Sequence, residues 1–129
     1  MIGIDTNVVV RLLARDDEAQ FERAARLVDD APQALFVNPL VLTEAVWVLE
    51  GPYGEPPARA RGAVLGLLDT PSFLVPAQLA IAEWRDWLAS SHRGIFDVTI
   101  ARTNQASGCT KTLTFDRKAA RIEGMELIA

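Results

Sequence analysis

Histidine and cysteine are nearly missing: His92 and Cys109 stand alone in a chain of 129 residues. One cysteine excludes an intramolecular disulfide and any Cys-cluster zinc site, and one histidine excludes HExxH sites, two-histidine acid–base pairs and most zinc enzymes. Basic residues are outnumbered thirteen to seventeen, giving a net charge of −4 and a pI near 4.9, so a protein that coats DNA is not expected. No window approaches the roughly 18 apolar residues of a membrane span. The apolar stretch after Met1 is broken by Asp5 and Arg11 and has neither a basic n-region nor a small-residue cleavage site, so no signal peptide is expected. With a free cysteine that suits a reducing compartment, these features predict a cytoplasmic protein that contacts no membrane.

What is present is apolar mass and carboxylate. Half the residues are hydrophobic, 23% are charged and the mean hydropathy is +0.14, enough to bury an ordinary core. The length predicts one domain spanning residues 1–129. Carboxylate oxygens suit magnesium and manganese, and a divalent ion held by clustered acids reverses the local field where a phosphate must sit. An acidic chain can therefore still act on nucleic acid.

Short apolar runs alternate with amphipathic stretches. Met1 to Asp5 reads as a strand ending in a carboxylate, followed by a helix from Thr6 through about Arg15. Asp16-Asp17-Glu18 opens a second helix that lasts to Asp30. Leu35 to Val37 is a buried strand, and Asn38-Pro39 caps a third helix ending near Glu50. Pro56-Pro57 opens a fourth helix to Leu68, Phe73 to Val75 is a strand, and Pro76 leads into a fifth helix carrying Trp84 and Trp87. Asp97 introduces a sixth helix that Gly108 stops. Thr112 to Phe115 is a β-prone run before Asp116, a short basic helix follows, and Glu126 to Ile128 forms an edge strand. This alternation predicts an α/β fold, a parallel sheet with helices on both faces, whose ligand crevice lies beyond the carboxyl ends of the strands.

Asp5, Asp97 and Asp116 fall at junctions into helices, where a carboxylate also serves as an N-cap. Glu44 sits in helical register with Leu40, Val41, Trp47 and Val48, so it is expected to face inward or into a cleft. A carboxylate there costs several kcal/mol unless a cation, hydrogen bonds or a metal offsets it. If the four acids converge, a divalent cation relieves their mutual repulsion, and oxygen-only ligands favour Mg²⁺ or Mn²⁺.

Four segments in order, Ile4-Asp5-Thr6-Asn7-Val8, Leu42-Thr43-Glu44, Phe96-Asp97-Val98-Thr99-Ile100-Ala101 and Leu113-Thr114-Phe115-Asp116-Arg117-Lys118, make the chain resemble PIN-domain ribonucleases. Within these it resembles the VapC-like toxins of bacterial type II toxin–antitoxin pairs. The resemblance covers almost the whole chain. It implies a Mg²⁺-dependent endoribonuclease, a homodimer, and a cognate VapB-like antitoxin that covers the active site. Asp5, Glu44, Asp97 and Asp116 match the family's four acidic positions, with Asp5 and Asp97 as direct metal ligands. Glu44 and Asp116 would ligate directly or hold coordinated water, and Glu44 is also a candidate for orienting the nucleophile. Many members carry a further acid where this chain has Gly94.

Around these acids, Thr6, Asn7 and Thr114 are candidates to fix metal-bound water or a phosphate, with helix capping and β propensity as the competing explanation. Arg59, Arg61, Arg93, Arg102, Arg117 and Lys118 are candidate phosphate contacts, Arg117 and Lys118 foremost because they follow Asp116. The tryptophans Trp47, Trp84 and Trp87 fit core or interface positions better than base stacking. His92 is expected in a surface turn and Cys109 as a small buried hydrophobe.

Two other readings compete. A PIN-like binding module without catalysis would keep the fold, since fold alone never proves activity. A phosphoaspartyl enzyme or receiver would use Asp5 at a strand end. However, receivers carry their acceptor on a later strand, and the phosphatases need a second aspartate where this chain has Asn7.

Overall fold

A computed structural model of the chain describes residues 1–79, 82–89 and 94–128. They form an α/β fold of helices and short parallel strands in two compact units, Met1–Pro76 and Ala77–Ala129. No described helix is long and apolar enough to cross a membrane.

In the first unit the N-terminal run forms only a bridge, Gly3 to Phe36. The Ile4 amide donates to the Phe36 carbonyl (3.0 Å) and the Phe36 amide to the Ile2 carbonyl (2.8 Å). Helix α1 (Thr6–Ala14) starts where Asp5 Oδ1 accepts the Val8 amide at 3.2 Å. It ends at Arg15, whose left-handed backbone (φ 53°) is uncommon for a residue with a side chain. The Arg15 guanidinium lies 3.9 Å above the Phe21 ring. Helix α2 (Glu18–Asp30) is capped by Asp17, which accepts from the Gln20 amide. Strand β1 (Leu35–Phe36) pairs in parallel with β2 (Phe73–Leu74), Leu35 opposite Phe73. Between them run α3 (Pro39–Glu50), opened by an Asn38 cap on the Val41 amide and by Pro39, and α4 (Pro57–Leu68).

Val9, Val10, Leu35, Val37, Leu42, Val46 and Val64 are buried in this unit, and such side chains each contribute about 1.5–3 kcal/mol on burial. Helix α2 contributes no fully buried residue. It leaves a groove of about 280 Å³ beside Val8, Arg11, Ala24 and Leu27, and another of about 460 Å³ lined by Leu12, Leu13, Val28, Leu67 and Phe73. A polar cluster ties the α1–α2 corner to the turn after α3. Arg11 donates to the Tyr53 hydroxyl (2.7 Å), to Asp16 (3.2 Å) and to Gln20, and Tyr53 donates to Asp16 (2.8 Å).

The second unit opens with a 3-10 turn at Ala77–Leu79, then α5 (Ala82–Ala89) and α6 (Ile95–Ala106). Trp84 is completely buried between them. Its Nε1 donates to the Thr99 hydroxyl (3.1 Å), which donates to the Ile95 carbonyl (2.7 Å). Gly108, at φ 98°, turns the chain out of α6. Strands β3 (Thr112–Thr114) and β4 (Met125–Leu127) pair in parallel, Thr112 opposite Met125, around a 3-10 turn at Ala119–Arg121.

The expected parallel pairing is therefore present, in shorter strands. The basic helix after Asp116 is a single 3-10 turn, and where the fifth helix is expected to open after Pro76 the chain forms a 3-10 turn at Ala77–Leu79 instead. Cys109 is exposed, not buried, because it follows the Gly108 turn and has left the helix. His92 and Arg93 lie outside the described residues.

Candidate active site

In the second unit, Asp97 and Asp116 line one cavity of about 150 Å³ together with Trp87, Gly94, Lys118, Ala119 and Ile122. Asp97 does not introduce α6, as the sequence suggests. The helix begins two residues earlier, with Gly94 as its N-cap at φ 96°, and Asp97 stands in the first turn. Amides that lack helical partners favour a carboxylate there. Gly94 passes close to that carboxylate, since a Cβ on it would lie 3.7 Å from Asp97 Oδ2. A further acid at this position would have to adopt a left-handed backbone, which costs roughly 1–2 kcal/mol.

Asp116 is held by its own turn. Its Oδ1 accepts from the Lys118 amide (2.8 Å) and from the Ala119 amide (3.4 Å), while its amide donates to the Thr114 hydroxyl (3.0 Å). The competing explanation for Thr114 is thus partly correct, as its hydroxyl shapes the turn that presents Asp116. One oxygen of Asp116 serves the backbone and the other remains for a ligand. Lys118 lines the cavity, whereas exposed Arg117 is not part of its wall.

In the first unit, Asp5 is exposed and divides its oxygens in the same way, with Oδ1 on the Val8 amide. Thr6 and Asn7 follow inside α1, and Asn7 lines the α1–α2 groove instead of capping the helix. Glu44 departs from its expected setting. It is exposed on α3, on a face with Leu40 (77% exposed) and Trp47 (58%), while Val41, Leu42, Ala45, Val46 and Leu49 turn inward. The helix is apolar on two sides, and Glu44 stands on the outer one, so no burial cost acts on it.

Two of the basic candidates are structural. Arg61 (5% exposed) pairs with Glu50 at 3.4 Å between α4 and α3. Arg102 (3%) donates to Gln105 and to the Glu123 carbonyl (2.9 Å). Arg59 is exposed and pairs with Glu55. Trp87, for which the sequence favours a core or interface position over base stacking, is half-buried in the cavity wall one turn beyond the core residue Trp84. Its helical spacing from that tryptophan gives it the pattern of a core residue.

Within neither unit do three or more described His, Cys, Asp or Glu side chains group so as to hold a metal. The cavity nevertheless fits a hard divalent cation. Its donors are two carboxylates, of which Asp116 engages the described backbone through Oδ1, and Mg²⁺ commonly takes one or two protein carboxylates and keeps several waters.

The model of the PIN domain matches residues 2–125. The chain belongs to the PIN-domain family. The match runs through both units, so one domain description spans the Pro76–Ala77 boundary. PIN domains are in general metal-dependent nucleases, and membership places this PIN domain with nuclease-type hydrolases. Curated proteins and solved structures give no significant match.

Proposed function

We propose that this PIN domain is a Mg²⁺-dependent endoribonuclease toxin held inactive by a cognate antitoxin, as its four acidic segments suggest. The observation that carries the nuclease reading is the shared cavity of Asp97, Asp116 and Lys118, two carboxylates and a cation in a PIN domain. Asp97 and Asp116 would hold the cation, and Asp5 and Glu44, in the first unit, match the family's two other acidic positions. When bound, Mg²⁺ or Mn²⁺ supplies Lewis-acid stabilisation of the phosphodiester and a nucleophile at neutral pH. Lys118 draws the non-bridging phosphate oxygens to the cavity rim, where the −4 chain otherwise repels RNA. The Lys118 and Ala119 amides hold the Asp116 carboxylate and the Thr114 hydroxyl holds its backbone amide, so the carboxylate need not reorganise when the substrate arrives.

An antitoxin partner is supported by the grooves flanking α2, apolar channels of the kind an amphipathic helix fills. A homodimer would cover exposed Leu40 and Trp47 on α3. One domain would comprise both units. The deciding experiment is incubation of total RNA with the purified, partner-free protein and Mg²⁺, followed by mapping of the cut ends. Discrete cuts that vanish in Asp97→Asn support the reading. If the well-folded protein leaves all RNA intact, the non-catalytic binding module replaces it.

A further inference from the structure

The cavity wall contains more than phosphodiester hydrolysis requires. Besides the carboxylates and Lys118, the lining includes Trp87, Ala119 and Ile122, apolar residues from α5 and the β3–β4 connection. Ala119 and Ile122 are buried, whereas Trp87 is half-buried and reaches the cavity. At about 150 Å³ the space is well below the ~300–1,000 Å³ of pockets that enclose drug-sized ligands. The cavity therefore does not enclose a nucleotide, which would lie across its mouth with base and phosphate each meeting part of the lining. The same cavity thus carries groups suited to a phosphate with its cation and an aromatic side chain suited to a base.

We infer that Trp87 forms a nucleobase subsite, stacking the base next to the scissile phosphate of single-stranded RNA while the carboxylates and Lys118 engage the phosphate. This rests on the nuclease reading above. Single-stranded RNA presents splayed bases that proteins stack on aromatic side chains, and the contact tolerates every base because each has a π-face. Trp87 is therefore a substrate-binding residue that sets the register of the cut and touches no reacting atom. Its absence lowers kcat/KM by roughly 5- to 150-fold, the range of base–aromatic stacking.

The test is a cycle of protein and substrate changes. An RNA oligonucleotide with a mapped cut and the same strand with an abasic nucleotide beside that cut, on each side in turn, are cleaved by wild type, Trp87→Phe and Trp87→Leu. Wild type should lose roughly 5- to 150-fold in kcat/KM on one abasic strand. Trp87→Leu should show that loss on the intact strand and no further loss on the abasic one, and Trp87→Phe should recover most of it. An unchanged abasic penalty in Trp87→Leu, or wild-type cleavage by that variant, overturns the subsite. Should Trp87→Leu fail to fold, the Trp87→Phe comparison and a binding measurement decide. The binding measurement uses the Trp47→Phe protein, in which AMP should quench tryptophan fluorescence and ribose 5-phosphate should not. Equal quenching by both, or by neither, overturns the subsite. Because this arm requires no cleavage, an inactive wild-type protein defeats the nuclease reading while the base site is still decided.

Discussion

Asp116 accepts the Lys118 and Ala119 amides through one carboxylate oxygen, Oδ1, and the proposed function gives the other to the metal. Asparagine and alanine at this position therefore separate structure from chemistry. Asp116→Asn retains the acceptor and should fold with wild-type stability, yet cut RNA at least about 100-fold more slowly, the upper end for outer-shell metal partners being a floor for a ligand. Asp116→Ala should lose the same activity and also about 1 kcal/mol of stability, as when a cap is removed. Urea titration beside a cleavage assay reads both. At Asp16, the Tyr53 hydroxyl and then Arg11 hold the carboxyl below its ordinary value. A carboxyl depressed by folding stabilises the native state at neutral pH, and that contribution is lost as acid carries the pH down through the folded value. Tyr53→Phe should return Asp16 toward the usual carboxylate range and move the acid unfolding midpoint to higher pH, as carboxyl NMR and melting curves would show. Of the four acids singled out by their local motifs, Asp97 and Asp116 line one cavity. The exposure of Glu44 was not legible in the sequence, because α3 carries apolar residues on both sides and a pattern on one helix does not say which side faces the core.

Elements were legible where a cap marks them. Asn38-Pro39, Asp17 and Gly108 stand at the helix ends expected of them, since each supplies or frees a backbone group. The start of α6 was misread because Asp97 is a preferred capping residue, whereas the left-handed Gly94 takes that role. Two- and three-residue strands were read too long because β-prone runs such as Phe73 to Val75 do not reveal how many residues find partners. The α5–α6 contact makes its own prediction. Thr99→Val keeps the shape but leaves the buried Trp84 N–H without its acceptor, and should cost about 1–3 kcal/mol. Thr99→Ser keeps the hydroxyl and should cost less. The midpoint of chemical unfolding distinguishes them.

For the whole molecule, the scarcity of nitrogen and sulfur ligands predicts a preference for metals that take oxygen ligands. EDTA should abolish RNA cleavage, Mg²⁺ or Mn²⁺ should restore it, and Zn²⁺ should do so poorly. Cleavage that persists in excess EDTA would contradict the metal-dependent reading. The hydrogen bonds of β1 also carry a consequence for biosynthesis. The Phe36 amide is bonded to Ile2, which leaves the ribosome early, but the Leu35 and Val37 amides are bonded to Ser72 and Leu74. At roughly 5–20 residues per second the nascent chain waits seconds for those partners. Until Ser72 to Leu74 emerge, β1 presents a bare edge to other chains, so a transcript truncated within α4 should yield a polypeptide prone to aggregate.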